Sequence, residues 1–208
     1  MPIQVYENKT FLLNTDKISY AFRIDKSGIL NALDRLEIQE SYSYIYPAKY
    51  MRAWITDSAD GLNKRKIPVT FAMHTAMCGA LGIGNDLYNI SSSEAEEIKK
   101  QVAIYKKIRE IIQFGKLYRL KSLTKDEFHA VQYQKDGNSI VFAFLINSRY
   151  EKEHYQLNFK DLCSDSRYRV SANGTEYYKS GAYLMYHGLD IVLKGDYNSQ
   201  LIEIMKES

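Results

Sequence analysis

Cysteine, proline and tryptophan are scarce, with 2, 3 and 1 copies among 208 residues. Cys78 and Cys163 lie far apart, and no CxxC pair or Cys/His cluster at zinc spacing occurs, so no metal site is expected. Charge of one sign is also lacking: 28 Lys and Arg against 25 Asp and Glu leave +3. A nucleic-acid partner would call for clustered cations, and none is expected. No run approaches the roughly 18 apolar residues of a membrane span, and the alternating N-terminal stretch has no apolar core of a signal peptide. The chain therefore reads as a cytoplasmic protein with reduced thiols and no membrane partner. GxSxG, Gly-rich phosphate loops and HExxH are absent as well, which removes the nucleophile-elbow, nucleotide and zinc-protease classes. No cofactor is expected.

What is present is an ordinary globular composition, 45% hydrophobic and 25% charged, enough to bury a core in one large domain or two small ones. Tyrosine is abundant at 18 copies against 8 Phe. Its apolar face and polar tip suit half-buried strands and also sugar-facing surfaces.

Along the chain, Ile18, Tyr20, Phe22 and Ile24 alternate with Ser19, Ala21 and Arg23, which predicts a strand after an earlier one near Thr10 to Leu13. Beyond Leu30 the spacing of Leu33, Leu36, Ile38 and Ile45 is helical as far as Pro47. Tyr50 to Thr56 reads as a strand and Asp57 to Lys66 as a polar loop. Met73, Ala76, Met77, Ala80 and Leu81 form a helical stripe predicted to stop in Gly82-Ile83-Gly84. A longer helix, Glu94 to Phe114, carries Ile98, Val102, Tyr105, Ile108 and Ile112, opens on a capping box from Ser91 with Glu94 or Ser93 with Glu96, and spans about 31 Å. From Leu117 onward short strands alternate with turns such as Asp136-Gly137 and Asn173-Gly174. Tyr183/Met185 is among the predicted strands, and the pattern is that of an antiparallel sandwich.

The loop after Trp54 is the local candidate for a polar site, because it sets the one Trp beside Asp57 and Asp60 and the triplet Lys64-Arg65-Lys66. An aromatic face with nearby carboxylates holds sugar rings. A solvated loop with one anchoring aromatic fits these residues equally well. His74, on a Met-rich helix, reads as a core histidine, and His129, His154 and His187 have no partner at ligand spacing.

Several strings carry a resemblance: ALDRLEIQ at 32–39, Tyr46-Pro47, Trp54-Ile55-Thr56-Asp57, KIP at 66–68, HTAMCGALGIGNDL at 74–87, YKKIR at 105–109, IQFG at 112–115 and SGAYLMYHGLD at 180–190. In this order they resemble the C-terminal part of bacterial α-galactosidases of glycoside hydrolase family 36, over residues 31–208. Residues 1–30 resemble the family's opening strands. The resemblance implies an α+β chain: an N-terminal strand pair at 1–30, a helical remnant of a (β/α)₈ barrel with one strand at 31–116, and a C-terminal antiparallel β-sandwich at 117–208.

It also implies a loss. The family, like other retaining glycosidases, uses two carboxylates about 5 Å apart. Its nucleophile belongs to a Lys-Trp-Asp tripeptide that this chain does not contain, and Gly28 stands at the acid/base position. Asp34 matches a structural Asp of the family's helix motif, and Asp57 has no carboxylate partner in register. No catalytic residue is therefore assigned; Trp54 and Asp57 are the candidate substrate-binding residues, with α-galactosides as the expected ligand. The expected function is a truncated α-galactosidase-family protein without hydrolytic activity, the alternative a non-catalytic carbohydrate-binding or protein-interaction module. With most barrel strands missing, the strand near Tyr50 to Thr56 and the stripes Met73/Met77 and Ile98/Val102/Tyr105 would lack their barrel partners and drive self-association into a homo-oligomer.

Overall fold

The computed structural model describes residues 3–6, 10–14, 19–23, 32–55, 67–85, 87–148 and 152–207. The N-terminal residues form three antiparallel strands, β1 (Ile3–Tyr6), β2 (Thr10–Asn14) and β3 (Ser19–Arg23). The expected strand pair is thus a three-stranded sheet. The alternation that marked Ile18 to Ile24 was the stronger signal, and the four-residue β1 is too short to show a period.

Next comes α1 (Ala32–Ser43), then β4 (Arg52–Ile55), α2 (Val69–Met77), β5 (Ala80–Ile83) and α3 (Ser92–Phe114). The strands β4 and β5 pair in parallel, joined by α2 as crossover, the arrangement that parallel strands require. This corrects two expectations. The segment holds two strands rather than one, and Ala80 and Leu81 belong to β5 instead of the α2 stripe. Gly79, not Gly82, lets the chain turn: a Cβ there would meet the Met51 carbonyl oxygen at 2.6 Å, and the Ala80 amide donates to that same oxygen. The helix α3 opens on the capping box of Ser91 and Glu94.

A six-stranded antiparallel sheet follows, made of β6 (Lys116–Lys121), β7 (His129–Lys135), β8 (Asn138–Leu145), β10 (Arg167–Ala172), β11 (Thr175–Ser180) and β13 (Asn198–Lys206). Its order is β11-β10-β13-β8-β7-β6, while β9 (His154–Leu157) and β12 (Leu189–Val192) pair separately. The hairpins β7–β8 and β10–β11 turn on Asp136-Gly137 and Asn173-Gly174, all four residues with positive φ, as two-residue type I′ loops demand. Tyr183 to His187, expected as strand, is instead a π-helical turn closed by the Gly188 amide on the Tyr183 carbonyl. Leu184 is the residue it buries, so the Tyr183/Met185 alternation was read on the wrong side of the chain.

Two cores meet on this sheet. Ile140, Phe142 and Phe144 of β8 point with Val131 and Tyr133 of β7 into a core shared with Leu36, Phe71, Met73, Met77, Ile98, Tyr105, Ile108 and Ile112. Their neighbours Val141, Ala143 and Leu145 face a second core with Tyr155, Leu157, Ile191, Val170 and Ile202. Period-two geometry explains why one continuous apolar strand serves both. Phe71 meets Phe144 edge-on at 5.4 Å, a favoured aromatic geometry. The stripes expected to lie bare are largely covered: Met73 and Met77 are fully buried, Ile98 and Tyr105 nearly so, and Val102 is half-buried. What covers them is the packing of α2 on α3 together with the antiparallel sheet, and the expectation of self-association had left the sheet out. No helix among the described residues is long and apolar enough to cross a membrane.

Candidate functional site

The parallel pair β4–β5 is set in place by backbone carbonyls and two buried tyrosines. The amides of Ala80 and Gly84 donate to the carbonyls of Met51 and Ile55 at 2.7 and 2.9 Å, fixing the register from end to end. Tyr105 on α3 donates its hydroxyl to the Gly79 carbonyl at 2.7 Å and accepts from the Leu81 amide and from Gln113 Nε2. Tyr133 on β7 donates to the Cys78 carbonyl at 2.6 Å and accepts from Gln39 Nε2. Burial pushes the Tyr133 phenol well above its ordinary range, so it stays a donor. Burial likewise raises the Cys78 thiol far beyond reactivity.

Alternation along β4 buries Ala53 and Ile55 against the helices and leaves Arg52 and Trp54 on the opposite, exposed face. Trp54 is 49% exposed and lies opposite Gly82 in the register. A Cβ at Gly82 would sit 3.2 to 3.3 Å from Cγ, Cδ1 and Cδ2 of the indole. Three bonded ring atoms at nearly equal distance mean that the ring lies face-on above the glycine. The Trp54 carbonyl, on the β4 edge away from β5, accepts from the Arg35 guanidinium of α1.

Asp57, Gly28 and the loop 57–66 lie outside the described residues, so the pairing of Trp54 with Asp57 has no described geometry. Asp34 falls within α1. His74 is buried with Nδ1 2.9 Å from Ser199 Oγ on β13. Burial lowers its pKa to about 4, against the pull of Glu97, which makes it a neutral core histidine joining α2 to the sheet. His154 forms an exposed pair with Asp190 at 2.5 Å. Among the described residues no cluster of three metal-capable side chains occurs.

One buried polar joint was not anticipated. Glu40 on α1 is 7% exposed; its carboxylate accepts from Ser122 Oγ at 2.7 Å and the Leu123 amide at 2.8 Å. His129 Nδ1 stands 3.6 Å from it, and burial lowers that imidazole's pKa although Glu40 opposes the shift. Arg119 completes the joint by donating to Ser43 Oγ and the Ser43 carbonyl at the end of α1 while lying over the Tyr44 ring. The available signal was that Gln39 and Glu40 follow Leu36 at i+3 and i+4, which places polar side chains on a buried stripe.

Comparison with known proteins covers nearly the whole chain. Residues 13–115 match the family model Melibiase, and residues 129–204 match the glycosyl hydrolase family 36 C-terminal domain. Alpha-galactosidase Mel36A of Lactobacillus acidophilus is 31% identical over 183 residues, 88% of this chain and 25% of the relative. A variant of the family 36 α-galactosidase AgaA from Geobacillus stearothermophilus, solved with raffinose, superposes with a TM-score of 0.79 at 26% identity over 85% of this chain and 25% of its own. The α-galactosidase of Lactobacillus brevis gives a TM-score of 0.77 at 26% identity, covering 86% of this chain and 25% of that one. The chain thus spans about a quarter of the length of the relatives it matches.

Proposed function

The chain belongs to glycoside hydrolase family 36, and from that premise we propose that by itself it does not hydrolyse α-galactosides. The observation that carries this reading is the setting of its one tryptophan. Trp54 stands between Ala53 and Ile55, so the Lys-Trp-Asp tripeptide that the family resemblance assigns to the nucleophile is absent. Gly28 at the acid/base position has no proton to give. In a retaining mechanism one carboxylate attacks the anomeric carbon while the other protonates the leaving oxygen, and this chain supplies neither. The unit α1–β4–α2–β5–α3 is read as what remains of a (β/α)₈ barrel, and the antiparallel sheets as the family's C-terminal sandwich. The free thiols of Cys78 and Cys163 support a cytoplasmic setting.

A second reading, a non-catalytic carbohydrate-binding module, is favoured by the exposed indole of Trp54 at the end of β4. One experiment separates the two: release of nitrophenol from nitrophenyl α-galactoside measured beside retention on an immobilised galactoside column. Retention without release supports a binding module, and neither supports an inert remnant. Release would overturn both.

A further inference from the structure

We propose that Glu40 and His129 form an acid-sensitive latch, which ties α1 to the connection between β6 and β7 while the imidazole is neutral and lets that connection lift away when the imidazole takes a proton. Glu40 supplies the tie: Oε1 accepts from Ser122 Oγ at 2.7 Å and Oε2 from the Leu123 amide at 2.8 Å. Oε2 also faces His129 Nδ1 at 3.6 Å, too far for a hydrogen bond. The imidazole is 2% exposed, neither of its nitrogens has a hydrogen-bond partner among the described residues, and it stacks with Phe144 of β8 at 5.9 Å. An imidazolium carries two N–H donors and a full charge, and this site gives it no bonded acceptor.

The groups that face the ring decide the direction of the response. From α1 comes Glu40, and from the connection Asp126, whose carboxylate is held by the Ser122 amide at 2.8 Å and Lys121 Nζ at 3.7 Å. β8 brings Phe144 and has no ionisable side chain. The buried face of α3, which packs along β7, holds no carboxylate or ammonium, and its Tyr105 is bound to the Gly79 carbonyl. Burial keeps the imidazole neutral against Glu40, the Lys121 carbonyl and Asp126, which in that order favour a proton. Proton uptake therefore favours the arrangement that returns the ring to water. Beside the ring, the connection is the loosely anchored segment: Thr124 to Glu127 are exposed, whereas Phe128 is buried against Tyr155 in the second core. Opening it costs the two hydrogen bonds to Glu40 and the half-buried packing of Leu123.

Amide hydrogen exchange of the full chain, read by mass spectrometry and divided by the intrinsic exchange rate at each pH, tests the latch. Between pH 7.5 and 5.0 the peptide 122–128 should lose protection severalfold, with about thirtyfold as the ceiling set by an ordinary histidine pKa near 6.5 in the open state. His129→Gln should abolish that dependence, and His74→Gln should leave it. With four histidines in the chain, the His129 ring can also be followed by NMR; its titration should stay below the ordinary range and track the loss of protection. That measurement on the unaltered chain decides the matter where His129→Gln does not fold. Constant protection of 122–128, the same pH dependence in His129→Gln, protection equal to that of 139–144, or a ring that titrates near 6.5 while 122–128 stays closed would each overturn the latch.

Discussion

At the residue scale, the fold spends two buried histidines on joints between its helical layer and its sheet. His74, with its pKa lowered by burial to about 4, is neutral in the folded chain over a range where an unfolded histidine, with a pKa near 6.5, takes a proton. Below that value the unfolded state binds more protons, so stability falls as pH drops from about 6.5 toward 4. The separation of the two values corresponds to about 3 kcal/mol, and His129, lowered by the same cause, acts in the same direction. Thermal midpoints measured between pH 7.5 and 4.5 should decline, and His74→Gln should flatten the slope; an unchanged midpoint across that range contradicts the assignment. Tyr133 gives a second prediction. Removing its hydroxyl in Tyr133→Phe leaves the Cys78 carbonyl and Gln39 Nε2 without their partner, and denaturant unfolding should show a loss of about 1 to 3 kcal/mol.

At the element scale, one core runs through both the helices and the antiparallel sheet. Ile112 of α3 and Phe142 of β8 are fully buried in it together. A fragment beginning at Leu117 would therefore lay Tyr133, Ile140, Phe142 and Phe144 open to water. It is expected to bind a hydrophobic dye and aggregate, whereas a soluble, dye-free fragment with a cooperative transition would show that the sheet closes its own core. The elements legible in the sequence were those with room to repeat a period: α3, with six turns, and the strands flanking Asp136-Gly137. Among the short ones β4 and β2 were legible as strands, while β5 and the turn at Tyr183 were not legible as strand and turn. Four residues of β5 continue the helical spacing of α2, and only the parallel pairing with β4, a contact remote in sequence, decides between strand and helix. Tyr183/Met185 failed for the same reason, since a five-residue π turn and a short strand share an apolar pattern. Trp54 was legible as a candidate by its rarity, but its Gly82 seat was not, because cross-strand register is written nowhere in the local sequence.

At the scale of the whole molecule, family membership was readable from ordered motifs, while the three-layer packing was not: nothing local says that the helix stripes lie on the sheet. Their burial removes the helices as a reason to expect self-association, while β4, paired with β5 alone among the described residues, keeps the strand edge on which the expectation also rested. Above all, the isolated chain is expected not to hydrolyse α-galactosides. General acid catalysis alone is worth roughly 10² to 10⁴ in rate, and this chain is read as lacking both that acid and the nucleophile. The most direct test is nitrophenol release from nitrophenyl α-galactoside by the purified full chain. The expected rate equals that of buffer. Turnover that stays with the chain through repurification and vanishes in Asp57→Asn would contradict it.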